Sequence, residues 1–317
     1  MSPSKKQWAK VVDLNKCLGC QECSVTCKMW WTNREGTARM WWAIVETRPG
    51  PGFPRDWEKR TARGELPHPD DYGEAPVLDC SQLQDNFGGR TPKLLPHPVP
   101  EFGPNWYEDV GAGKTPSDAW FFYMHISCMH CTDPACVRAC PSGAIYKRED
   151  GIVLIDQNLC KGFKACILAC PYKRIFWNEA LRFSEKCILC YPRLEEGKPP
   201  MCVLACAGKA IFFGDLNNPQ SKVSKLVRQY KVALPLHPEY NTQPNIFYIP
   251  PVFTPVKGGT DQKPTDELRI PRAELRRLFG PEVDRAMTVL VEARNAAARG
   301  QVSELIEILT SYPTYEL

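Results

Sequence analysis

The spacing of the cysteines constrains this 317-residue chain more than any other feature. Cys17, Cys20, Cys23 and Cys27 read C-x-x-C-x-x-C-x-x-x-C. Cys128, Cys131, Cys136 and Cys140 form a second group, followed by Pro141. Cys160, Cys166 and Cys170 form a third, followed by Pro171, with Phe163 standing where a further cysteine would fall. Cys187 and Cys190, then Cys202 and Cys206 after an eleven-residue excursion, make the fourth. Fifteen of sixteen cysteines are thereby placed, and Cys80 stands outside.

Disulfide frameworks belong to small secreted scaffolds and do not need tight triads with a fixed two-residue gap. A C-x-x-C-x-x-C loop instead wraps three corners of an iron–sulfur cubane. The next cysteine, usually ahead of proline, points away and ligates the neighbouring cluster in two-cluster ferredoxins. Such groups work in pairs, each lending its last cysteine to the other. A phenyl ring cannot bind iron, so the site served by the third group is expected to hold a [3Fe–4S] cluster beside three of the [4Fe–4S] type. The alternative is that another donor completes a four-iron cluster there. Cys80 is the candidate, but it lies in a proline-rich stretch without a motif and reads better as an inert buried thiol. Structural zinc is the rival for the fourth group alone, whose long gap it could tolerate; the triads do not suit it.

The formal charge of +4 changes meaning in this light. Each cluster with its thiolates carries roughly −2, so four add about −8. The basic residues then read as counter-charge rather than as a nucleic-acid footprint. Lys161, Lys164, Lys173, Arg174 and Lys186 sit beside cysteines in the sequence and are expected to raise nearby potentials. No run approaches 18 apolar residues, so no membrane span is expected. The short polar N-terminus has neither a secretory h-region nor a twin-arginine signal.

The predicted fold class is α+β: duplicated bacterial-ferredoxin-like units with long proline-rich insertions and a helical C-terminus. Asp13-Leu-Asn-Lys-Cys17 echoes Asp156-Gln-Asn-Leu-Cys160. After Cys140, Cys170 and Cys206 the chain reads PSGAIY, PYKRIF and AGKAIF, which predicts return strands beginning near Ile145, Ile175 and Ile211. Further strands are expected at Trp8–Leu14, Trp120–Ile126 and Ile152–Ile155, with single helical turns at Pro134–Ala139 and Ala165–Ala169. Residues 1–30 and 180–232 form one expected unit and 118–179 the other. Residues 31–117 form an insertion rich in proline and tryptophan, and the whole stretch between Cys27 and Cys128 carries Trp30, Trp31, Trp41, Trp42, Trp57, Trp106 and Trp120. These aromatics either shield clusters from water or seal a subunit contact. Residues 233–317 are expected to form an extended arm followed by helices, with apolar residues at helical spacing in RAELRRLFG and PEVDRAMTVLVEARNAAARG.

Over about residues 8 to 256 the chain resembles the beta subunits of type II molybdoenzymes of the dimethyl sulfoxide reductase family. The resemblance rests on the four-group plan, the aromatic at position 163, and the stretches WTNREG, VETRPGPGFPRDWE and SEKCILCYPRLEEGKPPMC. Relatives carry tryptophan or tyrosine where Phe163 stands. The resemblance implies that the first group pairs with the fourth and the second with the third. Cys17, Cys20, Cys23 and Cys206 would hold one [4Fe–4S] cluster; Cys27, Cys187, Cys190 and Cys202 the next; Cys128, Cys131, Cys136 and Cys170 the third. Cys140, Cys160 and Cys166 would hold the [3Fe–4S] cluster. It further implies a non-catalytic electron-transfer subunit between a molybdopterin-containing alpha subunit, which holds the substrate site, and a haem b gamma subunit. A periplasmic location follows if the chain is exported with a signal-bearing alpha subunit; the cytoplasmic face is the alternative. A formate dehydrogenase-like beta subunit with four [4Fe–4S] clusters is the competing assignment, and it would place cysteine at position 163.

Overall fold

The strand Trp8–Asp13 (β1) is buried along its whole length, on both faces. It lies inside a mixed sheet of order β8-β1-β10-β9, with β8 at Ile211–Asp215, β9 at Leu234–Pro235 and β10 at Ile246–Ile249. β8 runs antiparallel to β1, with Val11 opposite Phe212, and β10 runs parallel, with Val11 opposite Phe247. A strand covered on both faces should read as continuous apolar sequence. Lys10 breaks that rule in the middle of β1. The description covers residues 5–49, 120–252 and 270–317 of a computed structural model. Cys80, Trp57 and Trp106 lie outside the described residues.

Three two-stranded pairs accompany the sheet. β2 (Ile44–Pro49) pairs with β3 (Phe121–Ile126), β4 (Ile145–Lys147) with β5 (Val153–Ile155), and β6 (Ile175–Asn178) with β7 (Phe183–Lys186). Ile145, Ile175 and Ile211 each begin a strand, as their repeated surroundings predict. The helices among the cysteines are short: α1 (Glu22–Trp31), α2 (Ala135–Arg138), α3 (Ala165–Ala169), α4 (Tyr191–Glu195) and α5 (Met201–Leu204). In α1, Cys23 and Cys27 stand four residues apart, which puts both on one buried face.

The same backbone turns recur around the cysteines. Gly19 and Gly162 have φ of 68° and 73°, and the residues two further on, Gln21 and Lys164, have φ of 61° and 56°. Gly143, Lys173 and Lys209, each three residues after a group-ending cysteine, have φ of 63°, 52° and 49°. In each case the backbone N–H bonds to that cysteine's carbonyl, at 3.1–3.2 Å. Asp13 Oδ1 accepts from Asn15 N at 3.0 Å, and Asp156 Oδ1 from Asn158 N at 2.9 Å. Gly208 is required for a different reason. A Cβ there would lie 2.4 Å from the backbone oxygen of Lys16. Gly208→Ala is expected to cost about 1–3 kcal/mol through overpacking, read as a lowered thermal midpoint.

Residues 233–252 supply β9 and β10 to the central sheet, with a 3-10 turn, Pro238–Tyr240, between them. The run Ile-Phe-Tyr-Ile at 246–249 suits a buried pleated surface. Helices α6 (Lys222–Ser224), α7 (Arg272–Phe279), α8 (Val283–Ala298) and α9 (Glu304–Thr310) complete the described residues, α6 running on into a π-helical turn, Lys225–Gln229. The ring of Phe279 lies against that of Tyr248, 6.0 Å between centroids. By contacts the chain divides into one unit of Met1–Arg48, Phe122–Thr254 and Ile270–Leu317, and a second of Pro49–Phe121 with Pro255–Arg269. All four cysteine groups belong to the first.

Candidate metal centres

The fifteen cysteines of the described residues are free thiols, and eleven of them line three cavities. Cys17, Cys20, Cys23 and Cys206 line one, with Gly208 and His125 beside them. Cys27, Cys187, Cys190 and Cys202 line another, with Lys10 and Trp42. Cys140, Cys160 and Cys166 line a third, where Phe163 occupies the remaining position. Cys128, Cys131, Cys136 and Cys170 lie within electrostatic reach of one another. Elements far apart in sequence make this possible: α1 packs on α5, and α2 on α3.

The donor set fits iron–sulfur clusters. Burial pushes the thiols of Cys23, Cys131, Cys136 and Cys190 up to about 12, with neighbouring cysteines adding to the effect. Such thiols stay protonated unless bound iron supplies the compensating charge. Among the described residues, no three His, Cys, Asp or Glu side chains lie close enough to hold a single ion. The fourth group also splits between two cavities, Cys206 facing one and its three companions the other. A zinc site built from that group alone does not match this arrangement.

Several groups that touch the thiols carry no motif. Lys10 Nζ donates to Cys202 Sγ at 3.4 Å and lies 3.4 Å from Ser127 Oγ. Burial opposes its charge, but the nearby sulfurs of Cys202, Cys187 and Cys190 outweigh that and hold its pKa above the ordinary lysine value. Trp31 Nε1 donates to Cys190 Sγ at 3.2 Å. His125 Nδ1 lies 3.3 Å from Cys23 Sγ. Burial, helped by the charge of Lys10, lowers the His125 pKa to about 3 and keeps the ring neutral. Cys140 moves the other way from most thiols. Its small burial is outweighed by hydrogen bonds from Ser142 and from the backbone of Ile145 and Ala144, which hold it below its usual value. The one sequence signal for the Lys10 site is a lysine among the apolar residues Trp8, Ala9, Val11 and Val12 of β1.

The basic residues expected beside the cysteines divide sharply. Lys186 is buried and donates to the carbonyls of Val153 and Cys187. Lys164 is half exposed, stacked 4.4 Å over Trp177 and 3.8 Å from Glu179, where solvent and that carboxylate screen it. The tryptophans divide likewise. Trp42 is buried and Trp31 partly buried, both against the Cys27 cavity, whereas Trp30 and Trp41 are exposed, covered in part by Arg193 and Lys28.

Comparison with known proteins gives the same picture at coarser grain. A family described as a 4Fe-4S dicluster domain matches residues 119–216. The beta subunit of dimethylsulfide dehydrogenase from Rhodovulum sulfidophilum is 44% identical, over 97% of each chain. The selenate reductase beta subunit of Thauera selenatis is 43% identical, over 98% of this chain and 97% of the relative. The respiratory nitrate reductase beta subunit of Haloferax mediterranei is 46% identical, over 96% and 90% respectively.

Proposed function

Because the chain belongs to the iron–sulfur beta subunits of type II dimethyl sulfoxide reductase-family molybdoenzymes, we propose that it relays electrons between a molybdopterin-containing alpha subunit and a haem b gamma subunit. The relay uses three [4Fe–4S] clusters and one [3Fe–4S] cluster. Bound clusters supply one-electron carriers whose potentials follow charge, hydrogen bonds to sulfur and solvent exposure. The chain's own part is to hold them, keep water out and set those conditions.

Cys17, Cys20, Cys23 and Cys206 hold the cluster nearest the alpha subunit. Cys27, Cys187, Cys190 and Cys202 hold the second, and Cys128, Cys131, Cys136 and Cys170 the third. Cys140, Cys160 and Cys166 hold the three-iron cluster nearest the gamma subunit. The observation that carries this reading is the grouping of thiols around the cavities, with Phe163 completing the ring that has only three. The repeated left-handed turns at Gly19 and Gly162, and after Cys140, Cys170 and Cys206, support descent of the two ferredoxin-like units, 1–30 with 180–232 and 118–179, from one duplicated ancestor. Residues 31–117 are the insertion between them and 233–317 the arm and helices that follow. The complex works on the periplasmic side, where this chain arrives with a signal-bearing alpha subunit; fractionation of whole cells tests that. Among the described residues, no helix is long and apolar enough to cross a membrane.

Low-temperature EPR of the air-oxidised complex is the decisive experiment. The expected result is one near-isotropic signal integrating to about one spin per chain and lost on reduction, the signature of a three-iron cluster. An oxidised state silent in that region, with only four-iron signals after reduction, overturns the cluster count.

A further inference from the structure

Lys10 is the largest charged anomaly in the core. Its residue is 1% exposed, in a strand whose every other residue is buried. The ammonium has two hydrogen-bond partners, Ser127 Oγ and Cys202 Sγ, and among the described residues no carboxylate forms an ion pair with it. An unpaired buried charge costs several kcal/mol, so such a lysine persists only where negative charge compensates it. Here the side chains that face Lys10 in the same cavity are those of Cys27, Cys187, Cys190 and Cys202, whose sulfurs carry negative charge only when they ligate iron. Those four cysteines line a single cavity. The other buried lysine of the set, Lys186, acts instead on Cys136.

A second observation marks the same cavity. Trp42 lines it, is buried, and its Nε1 has no hydrogen-bond partner among the described residues. Buried N–H groups are rarely left unpaired, and each one that is calls for a partner. Sulfur held within the ring of thiols would supply that acceptor. Trp31 Nε1 already donates to Cys190 Sγ from the same wall.

We propose that Lys10 is the built-in counter-charge of the cluster held by Cys27, Cys187, Cys190 and Cys202, raising that cluster's reduction potential selectively, with the Trp42 N–H assisting. The inference rests on the ligand assignment proposed above. One-electron reduction adds one negative charge to the cluster. The ammonium stands 3.4 Å from Cys202 Sγ, and a positive charge so placed stabilises the more negative state in surroundings of low dielectric constant. Ser127, which is fully buried, positions the ammonium.

The test is an EPR-monitored redox titration of the intact complex carrying Lys10→Met, Lys10→Arg or Trp42→Phe. Lys10→Met is expected to weaken reduction of one four-iron cluster about tenfold, a negative shift of about 59 mV for one electron, with the other signals unmoved. Lys10→Arg retains most of the wild-type value, and Trp42→Phe shifts the same signal in the same direction by less. Unmoved potentials in a fully loaded Lys10→Met complex overturn the proposal. So does an equal shift of every cluster, which would mark a general charge effect. If Lys10→Met fails to load, Trp42→Phe and Lys10→Arg decide: a Trp42→Phe complex with wild-type potentials, or a Lys10→Arg complex whose reduction is weakened by the full tenfold, overturns it. A wild-type complex without iron–sulfur signals would instead sink the functional reading beneath it.

Discussion

Phe163→Cys is expected to abolish the oxidised-state EPR signal and to replace it with a four-iron signal that appears only on reduction. The backbone already presents this position as it presents a ligand. Cys20 sits between Gly19 and Gln21, at φ of 68° and 61°, and Phe163 between Gly162 and Lys164, at 73° and 56°. Both side chains are exposed, Phe163 at 63%. A thiol at position 163 therefore reaches the Cys140, Cys160 and Cys166 cavity without rearrangement of the loop. Changing cluster type and adding a thiolate should lower the potential of that site, on the order of 100 mV. Loss of the oxidised signal with a matching gain in iron content checks the prediction. Retention of the signal would mean that the fourth corner stays open for a reason other than the missing thiol.

Arg34→Met is the substitution expected to cost most stability without touching a thiol. Glu185 on β7 has a side chain with no solvent exposure. Arg34 Nη1 donates to it at 2.8 Å, Arg34 Nη2 contacts its other oxygen, and Asn178 Nδ2 donates at 2.7 Å. Asn178 also donates to the carbonyl of Glu35 at 3.1 Å, so the chain after α1 is fastened to the β6–β7 hairpin. Removing the guanidinium leaves a buried carboxylate with one donor. The cost should be about 3 kcal/mol, the low end for breaking a buried pair, because Arg34 keeps a face to solvent. A thermal midpoint lower by several degrees would register it. The double variant Arg34→Met with Glu185→Leu should recover part of the loss, since it removes the stranded charge as well.

Local structure was legible in the sequence wherever chemistry imposed a repeat. The strands that begin five residues beyond Cys140, Cys170 and Cys206 and the short helices at Cys136 and Cys166 follow from spacing and from the Ile-aromatic echo. Long-range partnership was not legible that way. Nothing in residues 8–13 says that β10, more than 230 residues later, will lie parallel beside them, because pairing depends on which surfaces are left to bury. The distribution of cysteines among cavities was suggested by family resemblance, not by spacing. The tryptophans show the limit most clearly. Trp30 and Trp31 are neighbours in α1, yet only Trp31 turns its N–H to a cysteine, and composition cannot separate them. Lys10 was passed over because sequence reading looked for charge near the motifs, whereas the buried charge comes from a strand that carries none.

The cavity lined by Cys17, Cys20, Cys23 and Cys206 also sets a clock on synthesis. Cys206 follows Cys17 by 189 residues (206 − 17). At roughly 5–20 residues per second, the ribosome leaves the first three thiols waiting about 10–40 s before their companion exists. During that interval they are nascent-chain thiols open to oxygen and stray metal. The ring of four thiols therefore cannot close before translation has passed residue 206, and until then the N-terminal three depend on the reducing conditions that keep cytosolic thiols free.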